Sequence, residues 1–507
     1  MPQPPTVRPH LTLPERPAVG ARRGVACGLV LWALLSAGLS GCAPHMRAQG
    51  DASVALPADY AQATQEGGGA GSASQAGVVA PAAADWRHHF SDPVLLGLLE
   101  RAVRHNRDVR VAALRVEEAR AALGIQRADR LPTVAASVAA TRSAVPADLN
   151  VSGRRVVGSQ YQVGLGFASW EIDFWGRLAS LDEAARQTYL SSEAAQRAVQ
   201  LSVVTQVANG HLAWRDLDER LALAQRTLAS RAESLRIFQR REALGATSRL
   251  ELTQVELLWQ QAKTLVAQLQ QARAQQAHAL SLLVGEPVVL QTSASSLDDL
   301  VLAAEPAVGL PSQLLVRRPD IVAAEHALQA ARAQVDAARA AFFPRIALTA
   351  SAGTASGALE GLFQSGSQAW TLAPQLSLPI FDRGRRQAAL DLSEVRREQS
   401  VAGYEQAIQA AFRDVADALS ARRWLAEQVA AVRATLALQE ERARLAKLRY
   451  DSGAVRYLEV LDAERDRLSV AQQLVQLRRA QLSADVALYA ALGGGAEGDG
   501  SGDATAP

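Results

Sequence analysis

Cysteine, methionine, lysine and aromatic residues are all scarce in this 507-residue chain. The two cysteines, Cys27 and Cys42, sit near the N-terminus, and Cys27 falls within an expected signal, so the mature chain can form no intramolecular disulfide and offers no catalytic thiol. Lysine occurs only at Lys263 and Lys447, the other basic residues being arginine, which we read as base-composition bias. The formal net charge is only +2, which argues against a dedicated nucleic-acid binder. Two methionines give no hint of copper transport. Aromatics make up 5% of the chain, and the 49% hydrophobic content is inflated by alanine. With leucine, glutamine, arginine and glutamate abundant, this is a composition of long helices. No proline occurs from Ser169 through Gly285. The histidines are scattered and no phosphate-binding loop is present, so no catalytic or metal-ligating constellation emerges; the adjacent His88 and His89 are expected on the surface.

What is present is organised around Ser169-Trp170-Glu171-Ile172-Asp173-Phe174-Trp175-Gly176-Arg177. Before this stretch apolar residues alternate; after it they recur about every 3.5 residues, as when a strand feeds a long helix. A second switch follows at Leu378-Pro379-Ile380-Phe381-Asp382-Arg383-Gly384-Arg385. Gly176 and Gly384 are 208 residues apart. The same offset aligns Arg241 with Arg449, Gly245-Ala246 with Gly453-Ala454, Leu250-Glu251 with Leu458-Glu459, and Gly285 with Gly493. The chain therefore reads as two tandem copies of one unit. Leu131-Pro132 matches Phe343-Pro344 at offset 212, the difference falling between the short strands.

Residues 1–41 read as a secretory signal: Arg22-Arg23, an apolar run from Val25 to Leu39, then Ser40-Gly41-Cys42. Leu39-Ser40-Gly41-Cys42 resembles the bacterial lipobox, implying cleavage before Cys42 and a diacylglycerol and N-acyl lipid on it; the alternative is an ordinary signal with a chance cysteine. Alanine rather than aspartate at position 43 favours the outer membrane among such lipoproteins. Residues 42–85 form an expected flexible tether, rich in Ala, Gly, Ser and Gln.

A short helix and a longer one are expected between Pro93 and Arg130. Val134, Ala136, Val138 and Ala140 then alternate with small or polar residues, and Gly153 and Gly158 mark a loop. Tyr161, Val163, Leu165 and Phe167 share one strand face; Trp370, Leu372, Leu376, Leu378 and Ile380 share another. Strands of about ten residues, apolar on one side and small or polar on the other, suit a membrane barrel, although a soluble half-buried sheet has the same pattern. Four strands cannot close a barrel, and lipid does not tolerate an open edge, so several chains must build it. From Gly176 to about Leu244 a helix of ~100 Å is expected, with Trp214, Leu221, Leu228 and Leu235 seven apart and Leu217, Ala224 and Phe238 three further on; Arg231 breaks that second row. Gly245 turns the chain into a shorter helix, whose missing length the helix near Asn106–Arg130 supplies by stacking on its end. The second copy repeats this with 384–451, a turn at Gly453, 456–491, and 319–341 to stack.

Trp170 to Arg177, Leu314-Leu315-Val316-Arg317-Arg318-Pro319-Asp320-Ile321 and Phe343-Pro344 resemble the signatures of TolC-like outer-membrane efflux proteins, in particular NodT-type lipoproteins of resistance-nodulation-division systems. The resemblance covers about Trp86 to Leu492. It implies a mainly α fold with a small membrane β part: a homotrimer whose twelve strands form one barrel, continued by a coiled-coil-like helical tunnel across the periplasm. It implies a passive exit duct, not an enzyme, for small molecules such as drugs, working with a periplasmic adaptor and an inner-membrane pump, without cofactor or nucleic acid, lipid-anchored in the outer membrane. Trp170, Asp173, Gly176, Arg177, Pro379, Asp382 and Gly384 then mark the barrel-to-helix transition, and Gly245, Ala246, Gly453 and Ala454 the hairpin tips that meet the adaptor.

Glu459 and Asp462, three apart, share a helix face beyond Tyr450 and Gly453. Related channels carry two aspartates at matching positions that close the pore; three copies would ring the axis with six carboxylates, attracting cations and raising one another's pKa values. A glutamate at position 459 implies a wider or more flexible constriction. Solvated acids on a surface helix are the plainer alternative. The expected division is residues 1–41 signal, 42–85 tether, 86–285 first repeat, 286–310 equatorial linker, 311–492 second repeat and 493–507 disordered tail. Two rival functions remain: a type I protein-secretion exit channel, which shares the fold, and a periplasmic coiled-coil lipoprotein scaffold, which would lack lipid-facing strands.

Overall fold

Without proline to interrupt their hydrogen-bond ladders, the two long segments form helices of 67 residues each. The computed structural model describes residues 86–292, 296–300 and 311–495; the signal, Cys42, the tether and residues 496–507 of the tail lie outside them. In chain order the elements are α1 (Trp86–His89), α2 (Pro93–His105), α3 (Arg107–Ala128), β1 (Ala135–Val145), β2 (Val156–Glu171), α4 (Arg177–Ala243) and α5 (Arg249–Val284). They continue with α6 (Pro311–Arg317), α7 (Pro319–Ala340), β3 (Arg345–Ser356), β4 (Gln368–Ser377), α8 (Arg385–Asp451) and α9 (Tyr457–Ala491). Both hairpins turn on a glycine with positive φ, Gly245 at 74° and Gly453 at 77°. Their closing bonds match, Ala246 N to Arg241 O and Ala454 N to Arg449 O, each 2.8–2.9 Å.

The heptad rows of α4 face inward as expected. Leu221 and Ala224 pack on Val266 and Leu269 of α5, and further along Leu235 and Phe238 meet Leu252, Val255 and Leu461. Arg231, the break in the row, is buried and donates to Leu258 O at 2.7 Å, so its guanidinium ties α4 to α5 where a leucine would only pack.

The short helices stack end to end along the long ones. At the first joint the Asn106 side chain donates to Leu283 O at 2.7 Å while its oxygen caps α3 through Asp108 N and Val109 N. At the second, Arg318 reaches Ala491 O at 3.4 Å and pairs with Asp320 at 2.7 Å and Asp414 at 3.2 Å. Burial raises the Asp320 pKa, but the Arg318 hydrogen bond and charge more than offset it and leave the carboxyl below its usual range. The Arg-Pro-Asp run is thus the splice between α9 and α7.

The main core lies around this level: Phe90, Leu98, Leu99 and Ala102 pack on Val203, Val204, Val207 and Ala208 of α4, with Leu297 of the linker and Val486 of α9. Two expectations fail here. His89 is not on the surface; it is 3% exposed and stacks on Tyr489 at 4.3 Å, because α1 folds onto the core. Gly493, Gly494 and Gly495 are not part of a disordered tail. With positive φ they close α9, and Tyr489 Oη donates to Gly494 O at 2.6 Å.

The strands form one antiparallel sheet in the order β1-β2-β3-β4. Register places Val138 opposite Val163, Ala136 opposite Leu165, Leu165 opposite Ala352, and Ala352 opposite Trp370. The expected apolar faces therefore merge into one, with Gly164, Gly166, Ser351 and Thr371 behind it. No described element covers this face, and Val138, Leu165, Trp370, Leu372 and Leu376 are exposed. β2 begins earlier than expected, at Val156, and Gly158 pairs with Ser143 instead of marking a loop. β4 ends at Ser377, so Leu378 and Ile380 lie beyond it.

Candidate functional site

Two places gather the residues singled out by the sequence: the strand-to-helix transition and the hairpin tips. At the transition α4 and α8 both start from a glycine N-cap in the left-handed region, Gly176 at φ 75° and Gly384 at φ 81°. Glycine has no capping side chain, so an upstream aspartate does that work. Asp173 accepts from Leu178 N at 3.1 Å and Ala179 N at 2.7 Å; Asp382 accepts from Gly384 N at 3.1 Å and Arg386 N at 3.2 Å. The Arg386 guanidinium, 2.7 Å from Asp382, is the main cause holding that carboxyl below its ordinary pKa. Pro379 contributes its carbonyl, which accepts from Arg386 at 2.5 Å.

Around this turn the indoles act as struts. Trp170 Nε1 donates to Arg130 O at 3.1 Å; Trp175 Nε1 donates to Pro344 O at 2.8 Å and its ring stacks on Phe343 at 4.8 Å. Arg177 makes two bonds of 2.8 Å to Glu171, and Arg345 reaches the same carboxylate at 2.7 Å. Glu171 and Arg345 thus join the transition in the structure, although sequence reasoning gave Arg345 no role. A β-bulge between Phe167 and Trp170, with Ser169 at φ 52°, re-aims the end of β2 toward α4.

At the tips, Gly245, Ala246, Gly453 and Ala454 occupy the two turns as expected. Glu459 and Asp462 lie on the first turns of α9, half exposed. Neither stands alone: Arg449 approaches Glu459 at 3.6 Å, and Arg465 approaches Asp462 at 3.2 Å. Within the chain these acids therefore carry counter-charges, which the expectation of a bare carboxylate ring did not include. Tyr450 accepts a hydrogen bond from Arg241 of the other hairpin and packs against Tyr457 at 4.8 Å. Tyr457 bonds Ser234 Oγ at 2.6 Å and lies on Phe238 at 4.7 Å. Arg241, Ser234 and Tyr457 were missed by the sequence reading; the matching positions of Arg241 and Arg449 in the two copies were the one available signal. Above these bonds a cavity of about 310 Å³ separates α4 from α8 and α9, lined by Arg231, Glu440, Tyr457 and Glu464. Among the described residues no helix is long and apolar enough to cross a membrane.

Residues 98–286 and 310–494 match the family described as outer membrane efflux protein. The chain is 43% identical over 409 residues to the solvent efflux pump outer membrane protein SrpC of Pseudomonas putida, covering 81% of this chain and 87% of that one. It is 42% identical over 412 residues to the outer membrane protein OprJ of Pseudomonas aeruginosa, covering 81% and 86%. Among solved structures, the open state of the Neisseria gonorrhoeae MtrE outer membrane channel is similar at a TM-score of 0.78 and 35% identity, covering 89% of this chain and 97% of that one.

Proposed function

The chain belongs to the outer membrane efflux protein family and is an outer-membrane exit channel, and we propose from that premise a homotrimeric duct that passes small organic molecules outward without catalysing any reaction. The observation that carries the assembly is the uncovered four-stranded sheet. Among the described residues its apolar face has no partner, and β1 and β4 each leave a row of backbone donors and acceptors unpaired. In lipid both demands are met only by closing the sheet edge to edge with further copies. Three copies would make twelve strands, and the helices leaving each strand would continue the wall across the periplasm. Cargo such as solvents and antibiotics follows from the relatives' names.

We assign the tips at Gly245-Ala246 and Gly453-Ala454 to a periplasmic adaptor that links the channel to an inner-membrane pump of the resistance-nodulation-division type. Glu459, Asp462 and Tyr450 form the gate, with the Arg241–Tyr450 and Ser234–Tyr457 bonds holding the two hairpins of a chain together when it is shut. Cys42 carries the diacylglycerol and N-acyl lipid. One measurement tests the assembly and its anchor: the native mass of the detergent-solubilised protein. We expect three chains, each beginning at an acylated Cys42. A monomer would sink the edge-closure argument, and an unmodified or absent Cys42 would sink the anchor.

A further inference from the structure

The heptad pattern and the repeat both call for a neutral residue where Arg231 stands. The 208-residue offset sets Leu425, Val432, Gln439 and Ala446 against Leu217, Ala224, Arg231 and Phe238, so the second copy fills the same row without a charge. Arg231 is 9% exposed, and its hydrogen bond goes to a neutral acceptor, Leu258 O. No carboxylate among the described residues forms an ion pair with it. Glu464 acts on it only through space, and that carboxylate is held by Arg467 at 2.6 Å. Burial is the larger influence and lowers the Arg231 pKa, with Glu464 opposing it.

This arginine lines the cavity of about 310 Å³ between α4 and the α8–α9 hairpin. The other charged residues of the wall are Arg226, Arg467, Glu440 and Glu464, which leaves one positive charge in excess. Leu223 of α4, Leu436 of α8 and Leu468 of α9 supply apolar surface from all three helices. Ser234 and Tyr457, bonded to each other across the two hairpins, line the same space. A dry cavity of ~150 Å³ takes one benzene ring, so this one has room for a two-ring body.

We propose that this cavity binds a small amphipathic organic anion, with its carboxylate on Arg231 and its apolar body against the leucines of α4, α8 and α9. A guanidinium held out of water without a carboxylate beside it is costly, and a ligand carboxylate supplies the missing counter-charge through charge-assisted bonds. An inorganic anion would meet that charge and leave the leucines uncovered. A neutral ring would cover the leucines and leave the charge unmet. The two demands together select the amphipathic class, and apolar walls with a few placed polar groups are the usual form of a small-molecule site. The occupant touches both hairpins of one chain, beside the Ser234–Tyr457 bond. The site stands without the gating role proposed for the tips, because binding is read directly.

The test is calorimetric titration of the full-length channel in detergent with 1-naphthoate, compared with 1-naphthamide and inorganic phosphate. Naphthoate should bind saturably, one molecule per chain. Naphthamide keeps the rings and loses the charge, so it should bind about tenfold more weakly or worse. Arg231→Leu restores the apolar heptad row, so the helices still form, and should weaken naphthoate by about tenfold or more. Arg231→Lys keeps the charge and should stay within about tenfold of wild type. Ala471→Leu fills the cavity from α9 without touching the charge and should also weaken binding. Uptake that does not saturate and is equal in wild type and Arg231→Leu is partition into detergent and overturns the site. Phosphate binding as tightly as naphthoate reduces it to an adventitious ion only, and equal binding of naphthamide or undiminished binding by Ala471→Leu overturns the placement at Arg231 in this cavity.

Discussion

His89 lies in the core with its ring flat on Tyr489 and edge-on to Phe90, and its Nε2 has no hydrogen-bond partner. Burial lowers its pKa from 6.5 to about 4, because a charged imidazole there would lose its water. The folded state therefore binds this proton less readily than the unfolded one. The neutral ring contributes fully above pH 6.5, and stability falls as pH drops from 6.5 toward 4, by at most about 3 kcal/mol. His89→Phe keeps the stacking and removes the titration. The melting temperature of the variant should fall less than that of wild type between pH 7.5 and pH 4.5. Parallel curves for the two proteins would show that His89 does not titrate against folding. Nearby, Asp92 accepts from His211 at 2.8 Å; burial pushes its pKa up, but the histidine bond and charge leave it lowered overall. That second buried histidine, unlike His89, has a counter-charge.

The helices are regular; their joints are where single residues decide stability. Gly285 ends α5 at φ 83°, and a Cβ on it would lie 2.2 Å from His105 O, inside the stack between α5 and α3. Gly176 begins α4 at φ 75° with nothing within 4 Å of the same position. Both pay the left-handed backbone cost of a side chain, ~1–2 kcal/mol, but only Gly285 must also push two helices apart. Gly285→Ala should destabilise by ~3 kcal/mol or more, and Gly176→Ala by ~1 kcal/mol. Denaturant titration of the two variants would refute this account of the joint if their costs were equal. The second joint spends charge instead of shape: Arg318 is nearly buried and holds two aspartates and a helix-end carbonyl, which explains an Arg-Pro-Asp run at a helix start where a capping serine would suffice for the helix alone.

At the scale of the whole channel, the proposed gate opens by separating the hairpins at their tips, and on that proposal the bonds between α4 and the α8–α9 turn resist it. Arg241→Ala removes one of them and leaves the acids untouched, so open probability in planar bilayers should rise several-fold with ion selectivity unchanged. Glu459→Ala with Asp462→Ala removes the charges at the proposed constriction and frees Arg449, while Arg465 keeps Asp466 at 3.0 Å, so cation selectivity should fall. Two different signatures are thus expected from two neighbouring sets of residues. A double-acid variant with wild-type selectivity would return Glu459 and Asp462 to the status of acids on a helix surface.

Much of this architecture was legible because its causes are local. Proline-free length set the long helices, alternation set the strands, and a constant 208-residue offset of glycines and arginines set the twofold repeat. The family motif marked Asp173 and Asp382 at the transition, and the structure added that each caps the helix behind its glycine. The edges of the pattern were less legible. Gly158 belongs to a strand because Ser143 is there to pair with it, and Gly493 to Gly495 are ordered because Tyr489 reaches back to them. Only the tertiary structure decided the contacts between distant segments: Asn106 with Leu283, Arg318 with Asp414, Arg241 with Tyr450, and the burial of His89 against Tyr489. Periodicity reports which face of an element is apolar, but not which other element will lie against it. That choice is made when hairpins of matched length and joints of matched shape pack together, and the arginines and histidines then take their partners from whatever the packing brings within reach.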